Sequence, residues 1–307
     1  MRGRVAAPTN VFLAAILAAM PLASAQIALR TDIGGPLTPE QIARNRMRVS
    51  LNRLAQEAAA YAQLAQQVTG EETLRLRVLK PPPKFKPRIG EAATKAPQPQ
   101  WVDRAIISLY GVSLIGGSLH EIRQVMFVDG KKVLDQRRAQ RTLTELLTGS
   151  ADQQKYASAK QLQKYTYGPA AVDFGPLILL FTRQGQERYE FTPVGPRMLG
   201  TVPSTVYHFK QLDGTEGFTL FAGLTRQLPL DGEVWISEDP KGPIRISLGV
   251  DVPNSEPPTR EEAEVDYTRS PLGALLPSQI EQREVHGPDI ATENIFNYAN
   301  FQKLPGR

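Results

Sequence analysis

The chain has 307 residues, a formal charge of +5 at pH 7 and no cysteine. The missing cysteines exclude disulfides, thiolate metal sites, cysteine nucleophiles and the lipid-modified cysteine of a bacterial lipoprotein. So mild a charge excess is no footprint for nucleic acid, which calls for a concentrated basic face, and a chain of this length without staples has to hold itself together by burial.

The first 25 residues read as a secretory signal peptide. Arg2 and Arg4 make a positive start, Val11 to Leu22 is apolar apart from Pro21, and Ala23-Ser24-Ala25 offers small residues to a signal peptidase. The apolar run falls short of the roughly 20 residues that a spanning helix needs. Cleavage is expected between Ala25 and Gln26, with a periplasmic or secreted product and no membrane span in the mature chain.

Residues 26–70 are read as an N-terminal segment built on an amphipathic helix. Thr38-Pro39-Glu40-Gln41 supplies an N-cap, a proline at the first helical position and a glutamine that closes a capping box. Apolar residues recur from Ile42 through Met47, Leu51, Leu54, Ala58 and Tyr61, against a polar face of Arg44, Arg48, Asn52, Gln56 and Gln63. Residues 71–303 are read as one curved β-sheet domain. Thr73 to Leu79 alternates as a half-buried strand, and residues 80–100, rich in proline and bases, form an extended loop before the next strand. Ile106–Val112 and Leu119–Val128 flank Gly116-Gly117, and Asp129-Gly130 turns the chain toward Lys132-Val133-Leu134. A helical interlude is expected over Thr142–Lys164, and the apolar run Pro176–Phe181 fits either a buried helix or a strand.

The remainder reads as meandering β-structure. Strands are expected at Arg188–Thr192, Thr205–Gln211, Gly217–Phe221, Gly232–Ser237, Ile244–Val250, Glu262–Thr268, Ser278–Val285 and Ala291–Phe301. Turns fall at Asp213-Gly214, Asp239–Gly242 and Pro253-Asn254. Short sequential strands with tight turns mean an antiparallel sheet, and helices at the front and middle make the class α+β.

Several segments carry a resemblance. Gly232-Glu233-Val234-Trp235-Ile236-Ser237 with Pro243-Ile244-Arg245-Ile246 resembles the "G-x-x-W-I-D…P-x-R" strand pair of bacterial envelope proteins similar to the periplasmic outer-membrane lipoprotein carrier, with Ser237 where that pattern has aspartate. Val265-Asp266-Tyr267-Thr268 with Leu276-Pro277-Ser278 resembles the next pair, and Ala299-Asn300-Phe301 stands where related chains carry "Y-S-N-F". Tyr61, Gly70-Glu71-Glu72 and Val128-Asp129-Gly130-Lys131 resemble a wider group of secreted bacterial proteins. The resemblance implies a strongly curved antiparallel sheet, or half-barrel, whose concave face receives a lipid or another apolar ligand.

No catalytic constellation emerges from the residues themselves. His120-Glu121-Ile122-Arg123-Gln124 begins like a zinc-protease helix, but Gln124 stands where the second ligand belongs. Gly111-Val112-Ser113 nearly forms a nucleophile elbow, yet strand precedes strand where the elbow needs a helix. Gly130-Lys131-Lys132 lacks the other parts of a phosphate loop. Glu262, Glu264 and Asp266 share a strand face that reads as solvated. No cofactor and no metal is expected, and the reading is a non-enzymatic envelope protein.

Aromatic alternation supplies the candidate site. Tyr189 and Phe191 share one strand face, Tyr207 and Phe209 another, and Trp235 and Tyr267 lie on nearby strands. Tyr189, Phe191, Tyr207, Phe209 and Trp235 are therefore the candidate lining for an apolar ligand. A sealed core gives the same alternation, which leaves open an envelope protein with a filled interior that binds another protein or a polymer, and a hydrolase whose site the sequence does not reveal.

Overall fold

A computed structural model describes residues 38–80, 99–167, 173–213, 229–252 and 255–304. The cleavage site at Ala25 and Gln26, most of the proline-rich loop, the strand expected at Gly217–Phe221 and the turns at Asp213-Gly214 and Pro253-Asn254 lie wholly or partly outside the described residues. Residues 1–42 and 43–307 form separate units. Of the first, Thr38–Ile42 is described, and there the capping box closes: Thr38 N donates to Gln41 Oε1 at 2.9 Å and Gln41 N to Thr38 Oγ1 at 3.3 Å.

Helix α1 runs over Pro39–Leu64. Among the described residues an antiparallel sheet of 11 strands follows: β1 (Val68–Lys80), β2 (Gln100–Ile115), β3 (Ser118–Val128), β4 (Lys131–Lys132), β5 (Tyr189–Leu199), β6 (Val202–Gln211), β7 (Asp231–Ser237), β8 (Ile244–Val252), β9 (Thr259–Arg269), β10 (Leu275–His286) and β11 (Asp289–Lys303). Helices α2 (Gln136–Thr148) and α3 (Asp152–Ala159) stand between β4 and β5. The class is α+β, as the sequence implies. Strands neighbour one another in chain order except where β1 pairs with β11, which welds two meanders into the order 4-3-2-1-11-10-9-8-7-6-5. β1 starts at Val68, ahead of the expected Thr73, and pairs antiparallel with β2 as far as Lys80 and Gln100.

Alternation sorts the strands into two faces. Leu74 and Leu76 of β1, Val234 and Ile236 of β7, Ile246 and Leu248 of β8, Val265 and Tyr267 of β9 and Phe296 of β11 enter one core with Leu54, Ala58 and Tyr61 of α1. The opposite face carries a second, smaller core in which Ala139, Leu143 and Leu147 of α2 pack on Leu109, Ile122 and Met126. Asp135 starts α2 by accepting from Arg137 N at 3.0 Å, so the helix begins six residues before the expected Thr142. Gly111, the first glycine of the apparent elbow, serves this packing: a Cβ there would stand 2.7 Å from Leu147 Cδ1.

The run Gly175–Phe181 is neither α-helix nor strand but a 3-10 helix. It reaches Glu121 of β3 at one end and Phe209 of β6 at the other. Those strands are eight spacings apart, roughly 38 Å on a flat sheet, whereas seven 3-10 residues cover about 14 Å. The sheet therefore curls strongly about this segment, which we call the strap. Bulges at Thr69/Glu71, Ile107/Ser108, Pro193/Gly195, Pro277/Gln279 and Glu284/Val285 bend the strands that make the curl. No helix among the described residues is long and apolar enough to cross a membrane.

Candidate functional site

The strap lies on the concave face. Gly175-Pro176 opens it; Leu177, Ile178 and Phe181 are fully buried, while Leu179 and Leu180 are half-buried. Phe181 sits among aromatic rings: 5.0 Å from Phe209, 5.7 Å from Tyr189 and 6.0 Å from Phe191, measured between centroids. Tyr189 and Phe209 are themselves 5.5 Å apart, edge to face. Tyr207 is on the same side, its hydroxyl 3.1 Å from Ser50 Oγ of α1. Four of the five candidate lining residues thus gather under the strap and α1.

Trp235 does not join them. It alternates with the inward Val234 and Ile236 and so faces the other way, where its Nε1 donates to Glu233 Oε2 at 3.0 Å and Arg197 lies over its ring at 5.3 Å. That outer face is a ladder of charge. Arg245 pairs with Glu264 and Asp266, Arg283 with Glu281 and Glu293, and Arg77 with Glu293 and Asp103. A tryptophan among such pairs is explained by stacking with arginine rather than by an apolar ligand. Glu262, Glu264 and Asp266 take their places on the same ladder, next to Arg260 and Arg245.

Polar groups tie the strap down at three points. At its start, Glu121 is buried on the concave side and its carboxylate accepts from Asp173 N at 2.7 Å, Gly175 N at 3.0 Å and the Tyr110 hydroxyl at 3.2 Å. Asp173 reciprocates, accepting from Glu121 N at 2.6 Å and meeting His120 Nδ1 at 2.9 Å. In the middle, the Tyr267 hydroxyl accepts from Ile178 N at 3.0 Å and donates to Gly175 O at 3.0 Å. At the far end, Gln186 Nε2 donates to Phe181 O at 3.0 Å and to Leu51 O of α1 at 2.8 Å. Gly175 is demanded by the first tie: a Cβ would stand 2.6 Å from Glu121 Oε1 and 2.7 Å from Tyr110 Oη.

Beneath this knot lies a buried ion cluster. Arg123, 1 % exposed, donates through Nε to both oxygens of Glu72 at 2.8 Å and through Nη2 to Glu121 at 2.8 Å. Burial opposes charge on Arg123, but the two carboxylates overrule it and hold the guanidinium firmly protonated. Burial pushes the Glu121 carboxyl above its usual range, against the pull of Arg123. The hydrogen bond to Asp173 raises His120. The sequence carries one signal for this cluster: stepping back by twos from Leu74 puts Glu72 on the inner face.

Ser113 stands opposite His120 in the β2–β3 register, so serine, histidine and Asp173 share a corner. Ser113 is 3 % exposed and no hydrogen bond joins it to His120. His208 and His286 pair with Asp231 and Glu284. No group of three or more potential metal ligands gathers among the described residues.

Beside the strap a cleft of about 550 Å³ opens between the two ends of the curled sheet. Leu119 from the β3 end, Tyr189 from β5, and Pro176, Leu179 and Leu180 from the strap make its apolar wall. Ser118, Thr182, Gln184 and Arg188 stand at its polar rim.

Seven solved chains resemble this one, and three of them are described. One is an outer membrane lipoprotein-sorting protein domain, so described, from Vibrio parahaemolyticus: 8% identity, 85% of this chain, 94% of the other and a TM-score of 0.35. Another is a LolA superfamily protein from Nitrosomonas europaea, with 9% identity over 83% and 95% of the two chains and a TM-score of 0.29. The third is a DUF1329 family protein from Desulfovibrio piger, with 7% identity over 84% and 95% and a TM-score of 0.29. No family model matches the sequence, and no curated protein matches it. At such identities no residue's role passes from these structures to this chain.

Proposed function

We propose that this chain is an exported, non-enzymatic envelope protein that binds a lipid or other apolar ligand on its concave face, with the cleft as entrance and the strap as a cover that gives way. The carrying observation is the strap itself. Beside α1, a 3-10 turn rather than a regular helix covers the cluster of Tyr189, Phe191 and Phe209, held by a few polar ties next to an open cleft lined by both apolar and polar groups. The cleft has the size of known small-ligand sites. Its polar rim, with Arg188, suits a ligand whose tail is apolar and whose head is acidic.

The energetics permit weak binding. About ten methylenes at roughly 0.8 kcal/mol each give around 8 kcal/mol, reduced by several kcal/mol for association and for lifting the strap. The export reading rests on residues 1–25 and is checked by the intact mass of protein from the envelope fraction, which should begin at Gln26.

The filled interior favours a second reading, an interaction protein that uses its outer surface, because Phe209 and Phe181 are completely buried. Displacement of a fluorescent fatty acid separates the two. Binding that Leu180→Glu abolishes supports the carrier reading; absence of binding supports the interaction protein.

A further inference from the structure

A different face of the molecule carries a groove of about 520 Å³ between the first turns of α2 and the end of β11. Gln136, Arg137, Gln140, Arg141, Gln302 and Lys303 line it, and no acid is among them. Along the sheet's outer face, Arg77, Arg245, Arg260 and Arg283 are each neutralised by a carboxylate. The side chains of Arg137, Arg141 and Lys303 have no such partner among the described residues.

The helix dipole gives no reason for these cations. The first two turns of α2 hold Arg137, Arg138 and Arg141 and no acid, at the end where the helix dipole repels positive charge. Each such residue costs a few tenths of a kcal/mol or more. The helix terminus is not itself a vacant anion site, because the Asp135 carboxylate already caps Arg137 N. What is left over is the side-chain charge, carried on two backbones that are held in place. Ala139, Leu143 and Leu147 fix one side of α2, and Leu304, buried with them, fixes the end of β11. Arg137 and Arg141 are four apart and so share a helix face.

We propose that this groove binds a phosphate group borne by a larger molecule. Two guanidinium forks match phosphate oxygens in pairs, Lys303 adds a point charge from across the groove, and the glutamine amides serve ester or hydroxyl oxygens. The ligand's phosphate belongs either to a soluble phosphorylated compound or to an anionic lipid at a membrane surface. The groove stands apart from the concave face and does not depend on the carrier reading.

The test compares Arg141→Gln with Arg138→Gln in the full chain. Both remove one positive charge from the same helix, but Arg138 does not line the groove. Calorimetric titration with glycerol phosphate at fixed ionic strength probes the soluble source. Flotation with phosphatidylcholine vesicles, with and without phosphatidylglycerol, probes the membrane. Binding in either arm is expected, weakened about tenfold or more by Arg141→Gln, the loss of one charge-assisted hydrogen bond, and little by Arg138→Gln. Thermal melts should show Arg141→Gln at least as stable as the parent. Equal weakening by both variants, or no binding in either arm, overturns the proposal.

Discussion

At the residue scale the molecule's most consequential choice is to bury charge. Arg123 sits between Glu72 and Glu121 with almost no exposure, and removing one member of such a cluster strands the others. Arg123→Met should therefore cost about 3–5 kcal/mol in urea unfolding, although methionine fills much of the volume. A loss under 1 kcal/mol would show that water reaches the carboxylates. Glu261 gives a pH signature. Burial, with Glu284 opposite, pushes its carboxyl up to about 7. A raised carboxyl pKa means that the native state holds its proton longer than the unfolded chain. Stability should then fall as pH rises from about 4.5 to about 7, by of order 1–2 kcal/mol after screening. Glu261→Gln should flatten that slope in melts across the same window; an unchanged slope would assign it to other groups. His120 acts with the same sign. Raised by Asp173, it contributes stability that is present below pH 6.5 and lost as pH climbs through its folded value. His120→Ala and Ser113→Ala should change stability alone, and a hydrolytic activity abolished by either with the fold intact would contradict the non-enzyme reading.

Among the elements the strap is where folding and proposed function meet. Gly175→Ala places a methyl against Glu121 and Tyr110, so the start of the strap should lift while the sheet stays intact. Native trypsin should then cut at Arg183 or Arg188 sooner than in the parent, with far-ultraviolet circular dichroism unchanged; identical digestion would mean that the strap absorbs the methyl. Legibility differed sharply between elements. The capping box of α1, the Gly116-Gly117 hairpin and, among the described residues, β7 to β11 of the second meander could be read from the sequence because local chemistry decides them. The strap could not. Pro176–Phe181 is uniformly apolar and therefore has no period that would tell helix from strand. Trp235 misled for a related reason: alternation puts it on one of two faces but does not say which one is inside, and only the partners of Val234 settle that. Tyr189, Phe191, Tyr207 and Phe209 were legible as a group because they recur at spacings of two on two adjacent strands.

On the scale of the whole molecule, a strongly curled sheet with one face charged and the other aromatic has to fill its concavity. Among the described residues, α1, the strap, Leu162 and a knot of buried charge help to fill it. The outer ion ladder keeps the convex side in water, and α2 with its basic groove covers only part of it. Where the inner filling is thinnest, the cleft between Leu119 and Tyr189 opens. The central claim is that an apolar chain enters there and displaces the strap. Its most direct measurement is displacement of a fluorescent fatty acid from protein purified from the envelope, comparing the parent chain with Leu180→Glu. Saturable binding by the parent, lost in the folded variant and accompanied by lipid on the parent in native mass spectrometry, is the result expected. Bare parent protein with no displaceable fluorescence, or equal binding by both chains, would contradict the claim.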